Sequence, residues 1–207
     1  MSRASAETRL ALLRAAERLF AQSGVDAVSF RQIAAEAGQK NHAAVAYHFS
    51  DKKALIDAVL SRHSDPIQAS WLATLEHLAA EDRNDLDELV GLLVRPLVAK
   101  LDDPDGGTNY LLVVAQLIAS RTFPISEMPA TMEPGILALV GQLMGHMEAF
   151  PSHLMPLRMM RVTAALYCSI ADYHRLSQLG LSISREEFTA DLIASLVALL
   201  GQRATSA

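Results

Sequence analysis

Residues 38–55 read GQKNHAAVAYHFSDKKAL. On a wheel of about 100° per residue, Val45 and Phe49 fall together. Lys40, Ala43, Ala44 and Tyr47 fall on the opposite side, with Gln39 near the start. A short helix here is apolar inward and small but polar outward. Lys and Gln can bond base edges, and Ala can touch a thymine methyl while the backbone comes close. Tyr47 can bond a phosphate or lie along a groove wall. Asn41 is either the helix cap or a base contact, and His42 and His48 sit at the edges, within reach of phosphates.

The segments on either side supply a frame for that helix. AETRLALLRAAERLFAQSG puts Leu13, Ala16 and Phe20 on one stripe, with Leu12 and Leu19 beside it. Gly24 is a natural stop. VSFRQIAAEAG then starts with Ser29 and carries Gln32 three residues on, the pattern of a capping box. Ile33 and Ala37 share its inner face, and Gly38 ends it. Two helices joined by a tight glycine-containing turn form a helix-turn-helix, whose second helix enters the major groove. The free N–H groups around Ser29 suit a phosphate, and Arg31 on the same turn reaches the backbone. Asp51 caps a fourth helix, with Lys52 at its start adding positive charge to the helix dipole.

Charge is unevenly spread. The 207-residue chain carries a net charge of −5. Residues 1–62 hold nine cations and six anions, and the remainder holds nine and seventeen. A basic head on an acidic body fits a polyanion meeting the head alone, although chance asymmetry explains the numbers equally well. Apolar residues make up 51% and charged residues 20%, a core-forming composition. The single cysteine, Cys168, forms no internal disulfide, in keeping with a reducing compartment. The longest apolar run, YLLVVAQLIA, is half of the ~20 residues a membrane span needs. With no signal-peptide pattern at the start, the expectation is a cytoplasmic protein away from membranes.

Nearly every long segment reads helical, so the fold class is all-α. Pro66 is expected to close or kink the fourth helix, placed at about 51–65. Further helices are expected near Ile67–Ala80, Leu86–Leu101, Asn109–Arg121, Gly135–Phe150, Leu157–Leu179 and Arg185–Leu200. Pro96 should bend or split its helix. Ser184 with Glu187 is a second capping box. The domain division is 1–50 for the head and 51–207 for the body, with the fourth helix as connector.

The head resembles the TetR-type transcriptional regulators over residues 8–60. The Ala-Ala-x-x-Leu-Phe turn, Gly24, Ile33-Ala34, Ala37-Gly38, His48-Phe49 and Lys52…Leu55 carry the likeness. QKNHAA before Val45 is one residue longer than the commonest pattern. Ala46 also stands where a tyrosine is usual, so Tyr47 is the candidate for its phosphate contact. The resemblance implies a three-helix head with helix-turn-helix, a helical effector-binding body, and a homodimer through the last two helices. It also implies a palindromic double-stranded DNA operator and release by a small-molecule effector, that is, a repressor. DNA-contact candidates are Ser29, Arg31, Gln39, Lys40, Asn41, His42, Ala43, Ala44, Tyr47, His48 and Lys52. Small residues Ala164, Ala165, Cys168 and Ala171, with Leu166, Ile170, Leu176, Leu192, Leu196 and Leu199, occupy the two helices expected to dimerise. The alternative for these helices is the chain's own core.

The effector site is faintly marked. Met128, Met132, Met144, Met147, Met155, Met159 and Met160 cluster in the second half, and methionine suits both adaptable cavities and ordinary core gaps. Polar groups able to orient a ligand are Asn109, Tyr110, Gln116, Arg121, His146 and His174. The ligand set expected is Tyr110, Gln116, Arg121, Met144, Met147, His146 and His174, around a mostly apolar molecule with one polar handle. No metal or cofactor is expected. His146 and His153 lack a zinc-ligand spacing. His174 lies six residues after Cys168, on a different helix face, so no Cys–His nucleophile is built locally. No GxSxG, Walker loop or dinucleotide fingerprint occurs, so no enzyme is expected. The remaining alternative is a helical ligand-binding or protein-interaction module without sequence-specific DNA binding.

Overall fold

The structure, a computed structural model, describes residues 3–41, 44–81, 83–120, 134–147, 150–180 and 182–202. Those residues form an all-α fold: α1 (Arg3–Ser23), α2 (Phe30–Glu36), α3 (Ala44–His48), α4 (Lys52–Ala80), α5 (Leu86–Ala99), α6 (Gly107–Ala119), α7 (Pro134–Gly145), α8 (Met155–Gln178) and α9 (Arg185–Gly201). Both capping boxes form. Ser29 N–H donates to Gln32 Oε1 at 2.8 Å, and Gln32 N–H donates back to Ser29 Oγ at 3.3 Å. Ser184 and Glu187 repeat the exchange at the start of α9.

The apolar residues sort into two clusters. The head cluster joins Leu12, Leu13, Ala16 and Phe20 of α1 to Ile33 of α2, Val45 of α3 and Phe49. Leu55, Ile56 and Val59 from α4 complete it, together with Val113 and Leu117 from α6. The body cluster runs from Ile67 and Trp71 on α4 through α5, α6, α7 and α8 to Leu192, Leu196 and Leu200 on α9. Helix α4 therefore serves both.

One branch of each proline expectation is excluded: closure at Pro66 and splitting at Pro96. Pro66 does not close the fourth helix, and the segment expected at Ile67–Ala80 is its continuation. Proline removes one backbone bond and crowds the preceding turn. Beyond it, however, Ile67, Gln68, Trp71 and Leu78 all bury on the body, and fully burying one large apolar side chain returns about 1.5–3 kcal/mol. Pro96 likewise stays inside α5. Lacking an N–H, it leaves the Leu92 carbonyl without its helical donor, and the Trp71 indole N–H supplies one at 2.8 Å. Among the described residues no helix is long and apolar enough to cross a membrane.

At the end of α9, Arg158 of α8 lies buried, 4% exposed. Its guanidinium donates to the carbonyls of Leu199, Leu200 and Gln202 and covers the Phe150 ring. It closes the carbonyl end of the last helix in the way basic groups favour.

Candidate nucleic-acid interface and the cavity behind it

The turn between α2 and α3 is set by Gly38, at φ 68°. Its N–H donates to Ala35 O at 3.0 Å, and Gln39 N–H donates to Ala34 O at 2.8 Å, the two bonds of a Schellman closure. Beyond it Val45 and Phe49 bury completely or nearly so, while Tyr47 is 81% exposed. The edge of the His48 ring meets Tyr47 with centroids 5.0 Å apart. Arg9 lies over the outer face of Phe49 at 5.1 Å. Lys40 and Asn41 are exposed in the turn ahead of α3, and Ala44 is half-buried at its start. His42 and Ala43 lie outside the described residues.

Several expected contact groups already have work within the fold. Ser29 Oγ is held in its cap by Gln32. Gln39 Nε2 turns back to donate to Ala37 O at 3.4 Å. Lys52 Nζ donates to Asp26 O at 3.3 Å, tying the loop before α2 to the start of α4. Most head cations are also spoken for: Arg3, Arg14, Arg18, Lys53 and Arg62 all pair with carboxylates. Among the described residues, exposed Arg31 and Lys40 carry no ion pair.

Behind the head lies a cavity of about 430 Å³ among α4, α6, α7 and α8. Leu60, Ile67 and Trp71 line one side, and Val114, Ile136 and Met159 others. Its polar lining includes Gln68, Tyr110, Thr163 and Tyr167. Gln68 Oε1 accepts from Ile136 N–H at 2.7 Å, pinning the start of α7. Tyr110 and Tyr167 both line the cavity, and burial drives both phenols upward in pKa, Tyr110 the more strongly. Both stay protonated at neutral pH.

Of the expected ligand residues, the structure brings Tyr110 to this cavity. Gln116 packs on the head instead, its Nε2 donating to Ala21 O at 2.9 Å. Met147 is buried in the body core, and Met144 is exposed. His146 is exposed beside Asn84, and His174 sits near the far end of α8. Arg121, Met128 and Met132 lie outside the described residues. Gln68, Trp71 and Tyr167, which are not among the expected residues, also line the cavity. A signal for the first two existed in Leu60, Ser64, Ile67, Gln68 and Trp71, which share one helical face.

A polar cluster separates cavity from head. Glu17 on α1 is 1% exposed. Arg62 Nη2 donates to its carboxylate at 3.0 Å, and His63 Nε2 lies 2.9 Å from the same oxygen. Arg14 and Arg62 both pair with Asp105 in the α5–α6 loop, and Lys100 pairs with Asp103. Asp105 is held below the usual carboxylate range chiefly by the Arg14 hydrogen bond, and Asp103 chiefly by that from Lys100. A carboxylate depressed in the fold adds stability that is complete above its unfolded pKa, near 3.9. That stability disappears as pH falls through the folded value. The melting temperature should therefore drop as pH is lowered below about 4. In thermal melts across pH, Asp105→Asn should lower Tm at pH 7 and make the acid decline shallower.

Comparison with known proteins agrees with this architecture. Residues 12–59 match the family model for bacterial regulatory proteins of the tetR family. A tetR family transcription regulator from Shewanella sp. PV-4 superposes with TM-score 0.66 at 17% identity, over 93% of this chain and 95% of that one. A TetR family transcription regulator from Marinobacter aquaeolei VT8 gives 0.65 at 20% identity, over 96% and 98%. A TetR-family regulator from Streptomyces coelicolor A3 gives 0.54 at 20% identity, over 98% and 99%. Among curated proteins, none matches the chain significantly.

Proposed function

We propose that this chain, whose residues 12–59 match the tetR family model, is a TetR-type helix-turn-helix transcription regulator and a ligand-responsive repressor. It binds a palindromic operator as a homodimer in the cytoplasm and is released by a small, largely apolar effector. The observation that carries this is the outward Tyr47 on a helix-turn-helix whose exposed Arg31 and Lys40 carry no ion pair. Residues 1–50 read DNA, and residues 51–207 sense the effector and dimerise, with the start of α4 joining them. The chain acts by binding, not catalysis.

Dimerisation runs through α8 and α9. Leu166, Ile170, Leu192 and Leu196 are consumed by the chain's own core, so the contact falls to the opposite stripe. Ala164 and Cys168 are half-exposed on α8, and Ala194 and Ala198 are exposed on α9. Leu157, Leu176 and Leu179 stand out at 49%, 38% and 76% exposure. Small residues one turn apart let helices of two copies approach closely. In the two-fold assembly the recognition helices sit about 34 Å apart, one turn of duplex. An effector in the cavity shifts α4 and changes that spacing. By linkage, bound DNA weakens effector binding by the same factor.

Selection of bound duplexes from a random pool tests the reading. The expected product is a site with inverted symmetry, and recovery of no enriched sequence would sink it. On the selected duplex, Arg31→Ala and Lys40→Ala should each flatten the plot of log affinity against log salt by about one unit. Lys52→Ala should flatten it less, because the ammonium is already engaged by Asp26 O.

A further inference from the structure

We infer that Tyr110 and Tyr167, the two tyrosines of the cavity wall, read an uncharged polar group on the effector, and that His63 and Glu17 carry that event to α1. This rests on the ligand-responsive reading above and adds where the ligand's polar group is sensed and by which side chains.

The path is short and continuous. Tyr110 lines the cavity. Its other face stacks on the His63 ring, with centroids 5.0 Å apart and planes 27° from parallel. His63, 2% exposed, meets Glu17 at 2.9 Å. Glu17 belongs to α1, whose Leu13, Ala16 and Phe20 form the head core. A single aromatic ring and one imidazole thus separate ligand space from the helix that supports the helix-turn-helix.

A second contact converges on the same carboxylate. Tyr110 N–H donates to Gly106 O at 2.9 Å. Gly106 stands at φ 94°, and a Cβ there would lie 1.7 Å from Glu17 Oε1 and 2.9 Å from Arg62 Nη2. The backbone at the start of α6 therefore abuts Glu17 with no slack. At Gly107 a Cβ would lie 2.1 Å from Lys100 O, so the turn has no room to yield on its other side. Movement of Tyr110 passes into Glu17 both through His63 and through Gly106, because close-packed interiors transmit displacement instead of absorbing it.

The ligand chemistry follows from the wall. Two protonated phenols can donate to and accept from a hydroxyl or a carbonyl. Among the described lining residues none is Asp, Glu, Lys or Arg, so no partner for an ionic group is found there. An effector hydroxyl that reaches these two phenols engages Tyr110, the ring that stacks on His63. An apolar chain of the same size fills the cavity without doing so.

The experiment uses 1-decanol and 1-chlorodecane as matched probes on the full-length protein. Trp71 is the chain's single tryptophan and lines the cavity, so its emission reports occupancy. Both probes should change that emission saturably. Decanol should lower affinity for the selected duplex about tenfold, and chlorodecane less than twofold. His63→Gln keeps an amide able to meet Glu17 but loses the ring that stacks on Tyr110. It should bind duplex and decanol as the parent does, yet lose most of the tenfold response. A response in His63→Gln equal to the parent's, or release by chlorodecane equal to that by decanol, overturns the relay and leaves the regulator reading intact. No change in Trp71 emission with decanol overturns the ligand class. Decanol binding without any effect on duplex affinity overturns ligand-responsive regulation itself. Should His63→Gln fail to fold, the two-probe comparison on the unmodified protein decides alone.

Discussion

Phe20→Ala is expected to lose about 3–5 kcal/mol of stability and to abolish duplex binding near 37 °C. Phe20 is fully buried, among the largest side chains so enclosed. It belongs to the buried cluster that also holds Leu12, Leu13 and Ala16 of α1, Ile33 of α2, Val45 of α3 and Leu55 of α4. Truncation removes the transfer energy of the ring and leaves a cavity that short helices cannot collapse around. With total stabilities of about 5–15 kcal/mol typical, that loss populates unfolded protein. Urea titration followed by circular dichroism gives the stability change, and a duplex titration of the same sample gives the functional one. A loss below about 1 kcal/mol, small for any core truncation, would show that the head is not closed around this residue.

The second large effect is Glu17→Ala, expected at about 3–5 kcal/mol, the range for breaking a buried ion pair from one side. The carboxylate is the common partner of Arg62 and His63, and the variant leaves the imidazole in the interior facing a void. Arg62 keeps Asp105, so the cost falls mainly on His63 and on the lost packing against Gly106. Glu17→Gln should be milder, because an amide oxygen still accepts from either partner. A double-mutant cycle of Glu17→Ala with Arg62→Ala separates the pair from its surroundings. Simple additivity in that cycle would show that the two groups do not stabilise each other.

The head was legible because its signals are local. Ser29 and Gln32 are three residues apart, Gly38 needs a positive φ, and Val45 and Phe49 share a face within a single turn. Each of these is decided by a few neighbouring residues. Pro66 was misread because local chemistry argues against continuing a helix, whereas packing of Ile67 and Trp71 on distant helices argues for it and prevails. The partners that hold buried Glu17 of α1 lie 45 and 46 positions away, out of reach of any local pattern. Gln116, expected as a ligand-orienting group, has a partner in Ala21, 95 residues earlier, that no local pattern reveals. Cavity walls assembled from four helices leave almost no trace along one chain. Tyr110, expected on residue type, lines the cavity, and so do Gln68 and Tyr167, which nothing adjacent in sequence marks.

Helix α4, 29 residues long, spans about 43 Å and enters both apolar clusters, while Val113 and Leu117 of α6 roof the first of them. Anyone grafting this reading head onto a foreign sensor would inherit an open side. A hybrid joined anywhere in α4 must reproduce the inward face of α6 as well as the splice itself. Exchange of sensors between such proteins, in the laboratory or over evolution, is thereby restricted to bodies that carry a matching lid.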